Sequence, residues 1–277
     1  MALCSLGWRP DVQDLRDFVL ENEHWMDHPA TVDLREHELE ASVQSSDPLL
    51  HMSCATSLLR MLNWQSKKWR GKRLDGSAEF LHKLTLKICG GGGLTGVGHR
   101  SVLKTLKRFG APPESLCQDD SETPLPERPE LFGYSRQYGN IKYLRLDSWE
   151  KTPRESLQSM KYWLAYGNPF ILGFSVPHSV SPAAVSIPFE TLRGGSMGGT
   201  SCVVMGYDDQ FSALYPLEQN QYKFSQHPNG AFLIQTSWGK HWGDQGYSWL
   251  PYEFIENRFA CDAWAVECSF DQNIPLV

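Results

Sequence analysis

The chain has 277 residues, of which 41% are hydrophobic and 12% aromatic, and its formal net charge at pH 7 is −6. This composition is ordinary for a soluble globular protein and allows one or two domains with a full hydrophobic core. No stretch approaches the ~18 uncharged apolar residues of a membrane helix, and residues 1–8 are too short for a secretory signal, so we expect a cytoplasmic protein without membrane contact.

The first half of the chain is predicted to be mainly helical. After a polar lead-in, apolar side chains at helical spacing predict a buried helix over 53–64, with Cys54 in its first turn. Residues 80–88 and 101–109 are further helix candidates. The glycine run at 90–93 separates them, because glycine is unfavourable inside a helix.

The second half is predicted to be mainly β. An acidic, proline-bearing segment over 118–129 is the expected connection, with a domain boundary near 112–133. A helix is predicted over 152–166, with Pro153 well suited to its first turn. The β-rich runs are 139–146, 169–176, 201–206 and 231–236. The predicted organisation is a lead-in segment (1–32), a mainly helical part (33–120) and a mainly β part (121–277).

The cysteines and glycines predict no metal and no cofactor. Seven cysteines, at 4, 54, 89, 117, 202, 261 and 268, form an odd set without a compact metal-ligand spacing such as CxxC. Free thiols in a reducing compartment explain this set best. The glycine run lacks the Lys-Ser/Thr ending and the preceding strand of a phosphate-binding loop.

Positive charge is concentrated in one part of the chain. Residues 60–108 contain twelve Lys and Arg residues but only two acidic residues, Asp75 and Glu79. The net charge of this segment is therefore +10, and that of the remainder is −16. Clustered positive charge can steer an acidic partner, such as an acyl carrier protein or a polyanion. The alternative, which we favour, is a set of solvated helix faces, since no aromatic-interleaved nucleic-acid motif accompanies the charges.

Several collinear motifs resemble those of the papain-like cysteine peptidases, and of their bacterial members most. Residues 198–209 read GGTSCVVMGYDD and residues 233–247 read LIQTSWGKHWGDQGY, where the family has G-G-H-A and N-S-W-G. Further matches from GWRPD at 7–11 to DAW at 262–264 extend the resemblance over most of the chain. The resemblance implies an α+β, papain-like two-lobe fold, with a helical left lobe, a β-barrel-like right lobe and a cleft between them.

The resemblance also implies an altered set of catalytic positions. Cys54 stands at the nucleophile position, but Thr200 replaces the histidine base and Thr236 replaces the asparagine that orients it. A threonine hydroxyl does not titrate near neutral pH, so it cannot protonate a leaving amine. Pro48 replaces the oxyanion glutamine, a donor worth about 3–4 kcal/mol, and Gln44 could substitute only if the loop bulges. Amide hydrolysis by the family mechanism is therefore not expected.

A helix N-terminus can lower the pKa of a thiol below its free value of ~8.5, which would help Cys54 act as a nucleophile. Among the histidines, His178 is the best candidate to replace the missing base, followed by His51 and His241. For each of them the alternative is an ordinary loop or surface histidine.

Three further residues are candidates for substrate contact. The resemblance places Gly96 beside the cleft, where a chain without side chains can approach an extended ligand, and it also implies contacts at Gly199 and Trp238. A tight loop is the alternative for Gly96, and core packing is the favoured alternative for Trp238.

Three functions are compatible with these residues. The first is a repurposed enzyme in which Cys54 handles an activated acyl group, such as a carrier-bound thioester, or the cleft orients a substrate for cyclisation. The second is a non-catalytic pseudopeptidase that binds a peptide or a protein partner. The third is a cysteine peptidase rescued by another histidine. Fold resemblance alone does not decide among them, because function depends on the site.

Overall fold

A computed structural model describes residues 7–12, 14–21, 28–35, 52–90, 96–118, 123–134, 138, 141–183, 185–189, 196–212, 214–216, 222–224 and 229–268. Pro48, Gln44 and His51 lie outside the described residues, and so do the glycines at 91–93.

The described elements comprise five helices and nine strands. In chain order they are β1 (Thr31–Asp33), α1 (Ser53–Arg70), α2 (Ala78–Ile88), α3 (His99–Phe109), β2 (Ile141–Arg145), α4 (Pro153–Ala165), β3 (Phe170–Pro177), β4 (Ser196–Asp208), β5 (Leu214–Pro216), β6 (Tyr222–Phe224), β7 (Ala231–Thr236), β8 (Tyr247–Pro251), α5 (Glu253–Glu256) and β9 (Ala260–Cys268).

Helix α1 is the longest of these helices. It runs to Arg70, past the predicted end near Trp64, and ends at Gly71 in the left-handed region with φ 66°. Its buried residues include Cys54, Ala55 and Leu58. The helix packs against β4, so the first turn of α1 faces the sheet.

Seven strands form one antiparallel sheet in the order β2-β9-β3-β4-β7-β8, and β1 pairs with the end of β4. Strands β5 and β6 form a separate pair. The predicted α+β class is confirmed. In the described part of the chain the sheet stays open at β2 and β8, so the expected barrel-like closure is not seen.

Strands β3 and β7 and residues 200–207 of β4 carry almost unbroken buried residues, because both faces of the central sheet are covered. The four predicted β-runs correspond to β2, β3, β4 and β7, whereas β1, β5, β6, β8, β9 and α5 were not predicted as elements. None of the described helices is both long enough and apolar enough to cross a membrane.

Helix α4 begins with a capping box that we expect to stabilise the β half. The Thr152 hydroxyl accepts a hydrogen bond from the Glu155 backbone N–H, and the Glu155 carboxylate accepts one from the Thr152 N–H. Thr152→Ala should lower the free energy of unfolding by about 1 kcal/mol in chemical denaturation. Thr152→Ser keeps the hydroxyl, so its free energy of unfolding should be close to that of the wild type. Equal losses in the two variants would contradict this role of the cap.

Candidate active site

Cys54 lies in the first turn of α1, as the sequence predicts, and it is fully buried. Its sulfur donates to the carbonyl oxygen of Val97 at 3.2 Å and lies 3.6 Å from the carbonyl oxygen of Gly7. Burial, followed by the negative charges of Asp11 and Asp262, raises the pKa of this thiol well above its ordinary value. The expected lowering by the helix N-terminus is therefore outweighed in this structure, and the thiol is protonated at neutral pH.

The N-terminal segment 7–12 lies directly over the thiol, in the groove between the loop before α3 and strand β4. On one side, Val97 donates its N–H to the Gly7 carbonyl at 3.0 Å, and Arg9 donates to the Val97 carbonyl at 3.3 Å. On the other side, the Trp8 N–H donates to the Gly199 carbonyl at 3.2 Å. The segment is thus held as an extended strand between the helical half and the sheet.

Glycines shape this groove around Trp8. A Cβ at Gly173 or Gly199 would lie 2.0 Å or 2.4 Å from the Trp8 ring, and a Cβ at Gly96 would lie 2.9 Å from the backbone of Gly7 and Trp8. Trp8 itself is only 5% exposed. In this structure Gly96 and Gly199 therefore contact an extended segment of the same chain, and their contact with a ligand stays a prediction.

Buried charges fix the segment beyond Trp8. The Asp11 carboxylate accepts the Arg100 N–H at 2.8 Å in the first turn of α3, and the Asp11 N–H donates to Asp262 at 2.6 Å. Asp17 pairs with Arg100 and also lies 3.7 Å from the Arg145 guanidinium. Arg145 donates to Asp262 at 2.6 Å. Side chains on α3, β2 and β9 therefore hold the segment in place.

The two threonines for which the sequence resemblance implies base and orienting positions lie on adjacent strands. Thr200 is on β4 and Thr236 is the last residue of β7, where it pairs with Cys202. Both are buried, and the Thr200 hydroxyl has no hydrogen-bond partner among the described residues. The Thr236 hydroxyl accepts the Trp238 N–H at 3.3 Å. The Trp238 N–H is not a group that could exchange a proton with Cys54.

A buried histidine reaches the site from a direction that the sequence does not indicate. His99, at the start of α3, has its Nε2 2.7 Å from the Ser201 hydroxyl and its Nδ1 3.0 Å from the Asp262 carbonyl oxygen. Ser201 follows Thr200 on β4, and its N–H donates to the Ser53 hydroxyl at 3.2 Å. The Ser201 and Ser53 hydroxyls act to lower the pKa of the Cys54 thiol, but burial and the two carboxylates outweigh them.

Two of the predicted replacement bases, His178 and His241, lie in the described part of the chain, and their catalytic role stays a prediction. His178 is exposed and follows the last residue of β3, Pro177. On that strand Phe174 pairs with Thr200. Pro177 lies three residues beyond Phe174, which is about 10 Å along the strand at ~3.3 Å per residue. His241 is also exposed. Trp238 packs edge-on against Phe174 and Trp242, in keeping with core packing.

Sequence reasoning missed Trp8, Ser201 and His99 as members of the site. Weak signals for them existed, since Trp8 lies in the first collinear motif and Ser201 follows the base position directly. The signal for His99 is only its place after the glycine-rich loop, because the packing of α3 against β4 and β9 brings it to Ser201.

Comparisons with known proteins show what this architecture is similar to. No family model matches the chain. It is 21% identical over 180 residues to an uncharacterized peptidase C1-like protein of Acanthamoeba polyphaga mimivirus, covering 62% of this chain and 52% of that protein. It is 28% identical over 115 residues to a probable cysteine protease of Arabidopsis thaliana, covering 39% and 25%. The chain thus matches about half the length of the first relative and a quarter of the second.

Solved structures match the fold over nearly the whole chain. Xylellain, a cysteine protease from Xylella fastidiosa, has a TM-score of 0.73 at 24% identity, with 95% of each chain covered. Procathepsin B S9 of Trypanosoma congolense has a TM-score of 0.60 at 18% identity, covering 95% of this chain and 85% of that one. The recombinant stem bromelain precursor has a TM-score of 0.57 at 14% identity, covering 94% and 76%.

Removing the Trp8 ring should expose the thiol. Trp8→Ala deletes packing against Gly173 and Gly199 that is worth about 3–5 kcal/mol, so segment 7–12 should leave the groove more often. Alkylation of Cys54 should accelerate by about 100-fold or more, since each 1.4 kcal/mol is a factor of ten. Peptide-resolved mass spectrometry measures this rate, with the exposed Cys89 as an internal reference. The matched control is Trp69→Ala on the surface, and equal Cys54 rates in the two variants would show that Trp8 does not gate the thiol.

The buried carboxyl of Asp262 should make stability depend on pH. Burial raises its pKa to about 7 from 3.8, so the folded state takes up a proton that the unfolded state does not, and stability rises as the pH falls from about 8 to about 6. Relative to Asp262→Asn, the free energy of unfolding of the wild type should increase by up to about 1.4 kcal/mol for each pH unit by which the pH falls in this range. Denaturation at several pH values measures the difference. Asp14→Asn is the control. Arg16 lowers the pKa of Asp14, so the difference in free energy of unfolding between the wild type and Asp14→Asn should stay constant over this pH range.

Proposed function

Because the chain has the papain-like fold and its sequence relatives are named as peptidases, we propose that it is a cysteine-dependent acyl-transfer enzyme. Cys54 would accept the acyl group of a thioester or another activated acyl compound in the groove that residues 7–12 occupy. The observation that carries this proposal is the placement of the thiol, at the first turn of α1 and directly beneath an extended peptide backbone.

The chemistry of the site favours an activated acyl group over an amide. A papain-like peptidase needs a cationic acid to protonate the leaving amine, and the residue at that position is Thr200, which cannot do so. A thiol leaves readily without such assistance, so the missing acid matters least for a thioester. The sequence motifs align Thr200 with the family's histidine.

The enzyme would be latent in the structure described here. Segment 7–12 blocks access to Cys54, and burial keeps the thiol protonated. Several structural neighbours are precursors, among them a procathepsin B and the stem bromelain precursor. An incoming acyl or peptide-like substrate would have to displace the segment, and it would meet the same backbone groups of Val97 and Gly199.

One observation favours a second candidate, the non-catalytic pseudopeptidase. The groove holds an extended peptide by backbone hydrogen bonds on both sides without using the thiol chemically. A protein that only binds peptides needs nothing more than this. The third reading, a peptidase rescued by His178, has weaker support because that histidine is exposed beyond the end of β3.

The proposed acidic carrier partner gains little support from the basic segment. Arg100 is partly buried against Asp17, Lys83 pairs with Glu79, and Lys87 pairs with Glu127. Lys68 donates to the Gly167 carbonyl at 2.6 Å. These intramolecular contacts use part of the positive charge, so docking of a carrier protein remains an expectation from the sequence.

A thioester donor tests the proposed function. Incubation of the Trp8→Ala chain with an acyl N-acetylcysteamine thioester should add the mass of one acyl group to the Cys54 peptide, and Cys54→Ser in the same background should lose the adduct. Fluorogenic peptides should be cleaved slowly or not at all, because the acid for the leaving amine is missing. If Cys54 is alkylated normally but forms no acyl adduct, the acyl-transfer function is wrong. The non-catalytic, peptide-binding function is then the candidate that remains.

A further inference from the structure

The N-terminal strap, which we define as the described residues 7–12 and 14–21, brings two carboxylates into a buried cluster of charges. The members of the cluster are Asp11 and Asp17 from the strap, Arg100 from α3, Arg145 from β2, Asp147 from the loop after β2, and Asp262 from β9. The charges outside the strap cancel, because two arginines face two aspartates. With the strap in place four carboxylates face two guanidinium groups, so full ionisation would leave the cluster at −2.

Asp262 and Arg145 stand at the centre of this cluster. One Asp262 oxygen accepts the Asp11 backbone N–H at 2.6 Å, and the other accepts an N–H of the Arg145 guanidinium at 2.6 Å. Arg145 also lies 3.4 Å from Asp147 and 3.7 Å from Asp17. The Arg145 and Asp262 side chains are 4% and 2% exposed, so water screens their charges weakly. An excess of negative charge is therefore costly here.

The contacts of each carboxylate indicate which of them keeps a proton. Asp147 accepts two backbone N–H groups, from Asp262 at 2.8 Å and from Ala263 at 2.9 Å, and these bonds favour its charged form. Asp17 is paired with Arg100. Asp11 and Asp262 share what remains, and burial raises the pKa of both, that of Asp262 to about 7. The proton that reduces the excess charge therefore lies on one of these two carboxyls.

The other titratable groups that face the cluster do not offset its charge. They are His99 on α3, Cys54 on α1, Cys261 on β9, Tyr143 on β2 and Lys151 near Asp147. Burial lowers the pKa of His99 to about 3 and raises the pKa of both thiols and of the Tyr143 phenol, so these four are neutral near pH 7. The Lys151 amine donates to the carbonyl oxygens of Leu20 and Leu146 and to the Ser159 hydroxyl.

The strap and the start of α3 fit closely around the Asp11 carboxylate. It accepts the Arg100 N–H at 2.8 Å, and a Cβ at Gly98 would lie 2.0 Å from one of its oxygens. The Arg100 guanidinium also donates to the Val12 carbonyl at 2.6 Å. Docking therefore fixes the Asp11 charge inside the cluster, and departure of the strap removes the charges of Asp11 and Asp17 together.

We infer that the N-terminal strap is a pH-dependent latch, which closes over the Cys54 groove with uptake of a proton by the Asp11 and Asp262 carboxyls and opens as the pH rises. The latch serves the acyl-transfer and the peptide-binding candidates equally, because both need an empty groove. Its failure would leave either function standing.

The sign of the pH dependence follows from the charge balance. In the open state Asp262 faces Arg145 without the strap carboxylates, so its pKa is lower than in the closed state. The closed state thus holds a proton that the open state releases. Opening becomes more favourable by up to about tenfold per pH unit as the pH rises, and it levels off once Asp262 is ionised in the closed state too. Since the closed-state pKa of Asp262 is about 7, the strap is held most firmly at acidic pH.

Hydrogen exchange of the strap amides tests the latch in the full-length wild-type chain. The Trp8 and Arg9 N–H groups donate to Gly199 and Val97, so their protection reports docking directly. After division by the intrinsic exchange rate at each pH, protection in a peptide covering 7–12 should fall by about 10-fold between about pH 6 and about pH 8. The amides of β7 report global unfolding and should be more strongly protected than the strap at every pH.

Three variants assign the proton. Asp262→Asn is neutral at every pH and should remove most of the fall; asparagine suits this position, where φ is 58°. Asp11→Asn removes one strap charge, so its fall should move to lower pH. Asp14→Asn is the matched control in the same strap, because Asp14 pairs with Arg16 outside the cluster, and it should keep the wild-type fall.

Four results would overturn the latch. They are wild-type protection that does not change with pH, protection that rises with pH, an undiminished fall in folded Asp262→Asn, and strap protection equal to that of β7. Circular dichroism shows whether each variant is folded. If Asp262→Asn is not, Asp11→Asn decides, and a fall at the wild-type pH in that variant contradicts the latch.

Discussion

The backbone pairing of residues 7–9 with Val97 on one side and Gly199 on the other is the contact on which the rest of the site depends. It joins the loop before α3 to strand β4 and places Trp8 against glycines that leave room for its ring. The same contact covers Cys54 and brings Asp11 next to α3. This short strand therefore controls both the access to the thiol and its protonation.

Electrostatics reinforce that closure. Asp11, Asp17, Asp147 and Asp262 surround Arg145, with Arg100 as a second cation, so the buried cluster holds more potential negative than positive charge. Burial raises the pKa of both Asp11 and Asp262, which reduces the repulsion by keeping part of the cluster neutral. One of the groups that fasten the segment, Asp262, therefore changes its charge near neutral pH, and this charge also acts on the Cys54 thiol.

A threonine stands at the position where the sequence resemblance implies a histidine. Thr200 is buried without a partner for its hydroxyl, which is consistent with a position that no longer exchanges protons. One residue further along β4, the Ser201 hydroxyl lies 2.7 Å from His99 Nε2. Neighbouring residues of a strand face opposite sides, so Thr200 and Ser201 do not present their hydroxyls to the same side of β4.

The sequence by itself determined the α+β class, the helix that carries Cys54, the main central strands and the placement of Thr200 and Thr236 on β-structure. These follow from local patterns, namely helical spacing in α1, continuous β-rich runs, and motifs with fixed spacing. It did not reveal the occupied groove or the contact of His99 with Ser201. Trp8 and Gly199 are separated by 191 positions in the sequence, and His99 and Ser201 by 102 positions. Such contacts form only when the sheet and the helices have packed together. The raised pKa of Cys54 has the same origin, because desolvation and the charges of Asp11 and Asp262 act through space and leave no trace in local sequence.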